Sequence, residues 1–409
     1  MKHTLAISLS PNVFPSDVLL ALKTISKPWR YNKKDSVIQL EAWFRTYFSA
    51  DFAFSYTSGR GALYELLRGY TIGKGDEVIT QAFTCVALPN AILATGAHPV
   101  YVDISSNLTM DPKDLQKKIT TKTKAIILQH TFGIPSDIEN IMRIARKHNI
   151  VVIEDCAHGI GIPYKGKKLG QFGDAAFFSF GRDKAFSSVF GGMSITNDKK
   201  LAEKLKKSYE EISYPHLSWT AQQLFHPVAF SLILPLYDFY SFGKMLVVFF
   251  QKLRMLSFPV SGEEKKGVYK HAEVKRLPGG LAALAFAQIE RLSAFNKKRE
   301  QLAEIYIKGL EGFSKDFPSS VPIPYLRFPF LSEKRDEIAW ELRKKHIYIG
   351  KWYAHVIDPV GVDFSKIGYT IGMCPNAERV ASRILNLPTF PTLEVSDVQR
   401  IVRYIKQYA

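Results

Sequence analysis

The sequence predicts an α/β fold, a large domain on a mainly parallel sheet followed by a smaller α+β domain, and three observations carry that prediction. From about residue 50 to 200, short β-rich runs alternate with longer helical patterns. Residues 281–309 place Leu284, Ala287, Ile289, Leu292 and Phe295 at spacings that suit one long helix, and beyond about 310 shorter strands mix with helices. At 409 residues the chain exceeds one ordinary core, yet no Gly/Ser-rich linker divides it. The expected organisation is therefore a large domain over 1–280, interlocked with a linking helix and small domain over 281–409.

The runs 77–80, 100–103, 125–129, 151–154 and 175–180 read as strands. Strands alternating with helices imply right-handed crossovers and helices on both faces of the sheet. Ser136 followed by Glu139 has the form of a capping box, opening a helix over 137–148 whose Ile138, Ile141 and Ala145 make an apolar stripe. Short connections of this kind line up the strand ends along one edge, where open α/β sheets bind ligands.

Composition narrows the function. With 46% hydrophobic and 23% charged residues the chain is ordinary for a globular protein. Cys85, Cys156 and Cys374 are odd in number and share no CxxC spacing, against a disulfide framework or a zinc site. The first twenty residues lack an apolar stretch behind a basic start, so no cleaved leader is expected and the cytoplasm is the expected compartment. A net charge of +17 favours anionic partners. The basic residues are scattered and no nucleic-acid-binding motif accompanies them, so nucleic acid ranks last.

Three clusters carry chemistry. In Thr57-Ser58-Gly59-Arg60-Gly61, a small polar turn runs into a helical pattern, and the exposed amides of such a helix start suit a phosphate. Val151-Val152-Ile153-Glu154-Asp155-Cys156-Ala157-His158 is a buried-type strand ending in acids and a histidine; a carboxylate there can keep a pyridine nitrogen protonated. Phe178-Ser179-Phe180-Gly181-Arg182-Asp183-Lys184 puts a lysine just past a strand end, where desolvation would lower its pKa. Singly, these are an ordinary Ser cap, an ordinary Asp cap and one lysine among many. Their order along the chain is what combines them.

In that order the sequence resembles the DegT/StrS family of pyridoxal-phosphate (PLP) dependent sugar aminotransferases, from about residue 43 to 404. Further motifs carry the resemblance: Phe83-Thr84, Pro89-Asn90, Pro99-Val100-Tyr101-Val102-Asp103, Gln129-His130, and Leu387-Pro388 with Phe390-Pro391. The resemblance implies a fold like that of aspartate aminotransferase, PLP fold type I. It also implies a homodimer that moves an amino group from glutamate to a keto-sugar, for amino-sugar or cell-surface polysaccharide synthesis.

By position, Lys184 matches the Schiff-base lysine, Asp155 the partner of the pyridine nitrogen, and His158 the residue near the ring hydroxyl. Ser58, Gly59, Arg60 and Ser179 match the phosphate-holding residues, and no metal is implied. The chain departs from the family pattern at three points. Cys85 stands where many members carry an aromatic that stacks on the cofactor. Val189-Phe190 replaces the Gly-Glu before Gly191-Gly192. Val274-Lys275-Arg276 replaces the Asn-Tyr-Arg whose asparagine reaches a neighbouring subunit. Two rival functions stay open: another PLP reaction, such as sugar dehydration or amination of a non-sugar, and a non-catalytic membrane-associated scaffold.

The stretch 212–258 belongs to neither domain pattern. Residues 212–237 contain no Asp, Glu, Lys or Arg, while Pro215, Pro227 and Pro235 interrupt any bilayer span. The sequence offers a buried helical hairpin or enlarged dimer interface, narrowly preferred, or a membrane-surface insertion carrying Trp219, Phe225, Phe230, Tyr237, Phe239, Tyr240 and Phe242. A transmembrane hairpin ranks third.

Overall fold

All the β-rich runs become neighbours in one sheet, because each is apolar on both faces and must be covered on both. The structure is a computed structural model that describes residues 4–9, 12–258, 260–313 and 321–408. Its seven-stranded sheet comprises β1 (Phe52–Tyr56), β2 (Glu77–Gln81), β3 (His98–Val102), β4 (Thr123–Gln129), β5 (Val151–Asp155), β6 (Ala175–Ser179) and β7 (Gly192–Thr196). The order across it is β1-β7-β6-β5-β4-β2-β3. β6, β5, β4, β2 and β3 run parallel, and β7 is antiparallel to both β6 and β1. The fold is α/β with a mainly parallel central sheet, as the alternation predicts.

Strand residues alternate between two cores. Ile126, Leu128, Val152, Ala176 and Phe178 face one side, with Phe44, Phe48 and Ile141. Ala125, Ile127, Ile153, Ala175 and Phe177 face the other, with Leu63, Leu66 and Leu67. This is the period-2 geometry of a strand applied to a sheet buried on both sides. A third core gathers Leu302, Tyr306, Phe330, Ile338, Ile384 and Ile401 from the C-terminal part, together with Phe83 and Phe132.

Two local readings are corrected. The expected single helix over 281–309 is two, Gly279–Ile289 and Leu292–Leu310. Arg291 causes the break: its Nε donates to the Ala287 carbonyl (3.1 Å), which a continuous helix would reserve for the Arg291 amide, and that amide turns to Gln288 O (3.0 Å) instead. The capping box at Ser136 is also displaced. Ser136 Oγ donates to the Gln129 carbonyl (2.6 Å), and Asp137 caps the Ile138–Lys147 helix by accepting from Asn140 N. Both residues are cap formers, and the buried carbonyl needed Ser136 more.

Glu154, on β5, anchors the sheet edge. Its Oε1 accepts from the amides of Phe172 (2.6 Å) and Gly173 (2.8 Å), its Oε2 from Gly170 N (2.8 Å) and His130 Nε2 (3.1 Å). A carboxylate supplies acceptors only, so all four donors are served. In Glu154→Gln the amide NH2 would face two buried donors. We expect a loss of roughly 2–6 kcal/mol at about 1–3 kcal/mol per unsatisfied donor, read as a lower urea midpoint with unchanged far-ultraviolet circular dichroism in native buffer.

Candidate active site

The strand ends bring the three sequence clusters together. β1 leads into Ser58, which caps the Gly59–Gly69 helix by accepting from Gly61 N (3.1 Å). β7 lies between β1 and β6, and Gly192 at its start lets the backbones close: a Cβ there would fall 2.3 Å from the Ser58 carbonyl carbon. A Cβ on Gly59 would likewise lie 3.0 Å from Ser179 Cβ. A helix start and the Ser179 hydroxyl thus face one small cradle that a side chain would fill, an arrangement suited to an anion. The Arg60 side chain turns to an ion pair with Glu264, which leaves its backbone to serve the cradle.

Asp155 ends β5 and is buried, with Oδ1 accepting from Ala157 N (2.9 Å). Burial pushes its pKa up, against the Ala157 amide and the charges of Lys184 and His130. Lys184 follows β6 on a loop held from three sides. Asn12 Nδ2 donates to its carbonyl, Arg299 donates to Ala185 O (2.7 Å), and Ser187 N donates to Gln288 Oε1 (2.8 Å).

The Lys184 amine meets His158. His158 Nδ1 accepts from Phe132 N (3.2 Å), and His158 Nε2 lies 2.9 Å from Lys184 Nζ. A neutral imidazole that accepts at Nδ1 carries its proton at Nε2. Nε2–H then points at Lys184 Nζ, a contact that favours the free amine over the ammonium. Electrostatics agree: burial lowers the Lys184 pKa below its ordinary value, and burial, then Lys184 and Arg327, hold His158 well below its own.

Sequence reasoning missed two groups. Arg327 is buried beside Lys184, paired with Asp183 and lying over the Trp352 ring at 3.5 Å. Burial pushes the Asp183 carboxyl up, but Arg327 and then Lys184 bring it below its ordinary value. Tyr353 is buried with its ring nearly parallel to those of His158 (15°) and Phe132 (22°). Cys85 lies in a two-residue strand paired with Ile357–Asp358, and burial pushes both its thiol and the nearby Tyr353 hydroxyl up. A lone arginine inside the apolar run 325–331 was a legible signal. Nothing near Tyr353 was.

Among the described residues one buried group, His130, Glu154 and Cys156, has ligand atoms close enough to suggest a metal. Its chemistry points elsewhere. His130 Nδ1 accepts from Ser136 N (3.2 Å), so Nε2 is protonated toward a carboxylate already taken by three amides.

The sequence profile of the DegT/DnrJ/EryC1/StrS aminotransferase family matches residues 17–222 and 249–406. The chain is 30% identical over 396 residues to GDP-perosamine synthase of Escherichia coli O157:H7, covering 94% of this chain and 93% of that one. It is 31% identical over 358 residues to a UDP-N-acetyl-3-dehydro-alpha-D-glucosamine 3-aminotransferase of Acidithiobacillus ferrooxidans, covering 86% and 82%. Among solved structures it is similar to S. venezuelae DesV in complex with a ketimine intermediate, with TM-score 0.73, 27% identity, and coverage of 95% and 94%.

The lowered Lys184 pKa predicts how the protein takes up a carbonyl probe. Borohydride-trapped labelling by PLP, mapped to peptides across a pH series, should rise through a half-point below the ordinary lysine value of 10.5. It should disappear in Lys184→Arg. A half-point at or above 10.5 would contradict the lowered pKa.

Proposed function

Because the chain belongs to the DegT/DnrJ/EryC1/StrS aminotransferase family, a PLP-dependent family, we propose that it transfers an amino group from glutamate to the keto carbon of a nucleotide-linked sugar in amino-sugar synthesis. The observation that carries this reading is the buried Lys184, its pKa lowered by burial, beside Asp155 and the Ser58/Ser179 cradle. The names of the relatives support the substrate class: they act on GDP- and UDP-linked sugars.

The residues fit the cofactor. The cradle that a Cβ on Gly59 would fill suits its phosphate, with Ser58, Gly59, the Arg60 backbone and Ser179 as holders. Asp155, a buried acceptor, suits a protonated ring nitrogen, and Lys184 supplies the amine. When bound, PLP provides an aldehyde that accepts the donor's nitrogen and a ring that withdraws electrons from the substrate bonds to be broken.

The remaining work falls to the chain. Lys184 Nζ, as the free amine, takes the proton from the substrate carbon and returns it on the far side of the transfer. Asp155 holds the ring proton in place, its negative charge retained by the positive partner. Arg327 presents a planar cation from the C-terminal part, which would bind the carboxylate of the donor. Tyr353 and Phe132 keep bulk water from the reacting atoms, with Tyr353 supplying aromatic surface that Cys85 cannot. On the same reading the enzyme is a cytoplasmic homodimer, and a single-subunit mass by light scattering would refute that assembly.

With glutamate and a panel of keto-sugar nucleotides, the wild type should form amino sugar and 2-oxoglutarate. Lys184→Ala should lower the rate roughly a thousandfold or more; normal turnover by that variant would refute the assignment. Arg327→Lys keeps a charge beside Asp183 but loses the planar fork. Its KM for glutamate should rise about tenfold with PLP loading unchanged, and an unchanged KM would remove Arg327 from donor binding.

A further inference from the structure

The segment 217–258 carries apolar side chains that the fold leaves uncovered. It forms a hairpin of two helices, Leu217–Ile233 and Phe242–Lys252. The second helix is apolar on both sides. Leu246, Val247 and Phe250 pack inward with Ala229, Phe230, Ile233 and Leu256. Phe242, Met245, Val248 and Phe249 recur at helical spacing on the opposite side and are exposed, Met245 by 62%. Phe239 and Tyr240 at the turn, Leu253 and Phe258 extend this surface, with Tyr240 89% exposed. A helix apolar all round is ordinarily buried, so something should cover the outer face.

We propose that this face docks the enzyme on an anionic lipid surface, lying in the headgroup region. Charge selects that occupant. Asp238 is the one acid between residues 212 and 262. It is already engaged by Thr4 Oγ1 (2.8 Å), Lys244 (3.0 Å), His346 (3.0 Å) and the Tyr348 hydroxyl. Lys252 and Arg254 are exposed beside the apolar face, so it meets the solvent as aromatic and aliphatic groups with cations and no available carboxylate.

The helix Pro15–Ile25 packs along Leu217–Ile233 and repeats the pattern: Leu19 and Leu22 are exposed with Lys23 and Lys27, and Trp29 and Arg30 follow. A second copy is the weaker occupant. A two-fold contact would set this cationic surface against itself, with the one acid of the segment, Asp238, already engaged. Among the described residues no helix is long and apolar enough to cross a membrane, so the contact is interfacial. The core of the hairpin, 223–248, also lies between the two stretches that match the family, outside the shared transaminase sequence. The proposal does not depend on the sugar reading.

The test is sedimentation of the full-length protein with vesicles of phosphatidylcholine alone and of phosphatidylcholine with an equal part of phosphatidylglycerol. Wild type should bind the mixed vesicles, and less well at high salt. Phe242→Ser/Met245→Ser/Phe249→Ser should abolish binding. Lys252→Glu/Arg254→Glu, which leaves the apolar face intact, should weaken it roughly tenfold or more. Both variants should keep wild-type PLP labelling of Lys184 and wild-type melting, which shows that they fold. No binding by wild type, or equal binding by the serine variant, would overturn the proposal. A serine variant that instead loses a subunit in analytical ultracentrifugation, when wild type ignores both vesicles, would assign the face to a second copy.

Discussion

The cost of burying a charge shapes the site. An ammonium group taken out of water without full compensation is expensive, and the least costly response is to lose the proton. Burial drives Lys184 in that direction, opposed by Asp183 and aided by Arg327. Its neighbours include Arg327 and a histidine whose Nδ1 is committed to a backbone amide, so the ring can only donate to the lysine nitrogen. The same desolvation that a surface lysine avoids lowers the Lys184 pKa below its ordinary value, which favours the free amine. Asp183 and Arg327 form an ion pair next to it.

Everything that holds Lys184 there is structural. Asn12, Arg299 and Gln288 converge on the backbone of 184–187 from the N-terminal segment and from the two helices on either side of the Arg291 break. Glu154 fixes the end of β5 and so the position of Asp155. Val189 takes a left-handed backbone (φ 72°) where the family pattern has glycine, a conformation that costs a β-branched residue and is held by the packing around it.

Much of this was legible in the sequence because it is local. Strands announce themselves by composition, the Ser58 turn by its glycines, and the Asp155, Ser179 and Lys184 positions by lying at strand ends that the alternation already placed on one edge. What was not legible depends on distant partners. Arg327 and Tyr353 are brought in by the third core, from more than a hundred residues beyond Lys184, and no local spacing encodes that approach. The cap at Asp137 and the break at Arg291 were misread for a related reason: in each, a side chain took a backbone carbonyl, Gln129 O for Ser136 and Ala287 O for Arg291, that the local pattern did not assign to it. The apolar segment 212–258 was legible as unusual. Its hairpin form and exposed outer face required the fold.

A crystal structure of the protein grown with PLP tests the assignment of Lys184 most directly. The site described above predicts continuous density from Lys184 Nζ to the cofactor, its ring nitrogen within hydrogen-bonding distance of Asp155, and its phosphate against Ser58, Gly59 and Ser179. Cofactor bound elsewhere, or in this cleft with Lys184 turned away and unlinked, would contradict it.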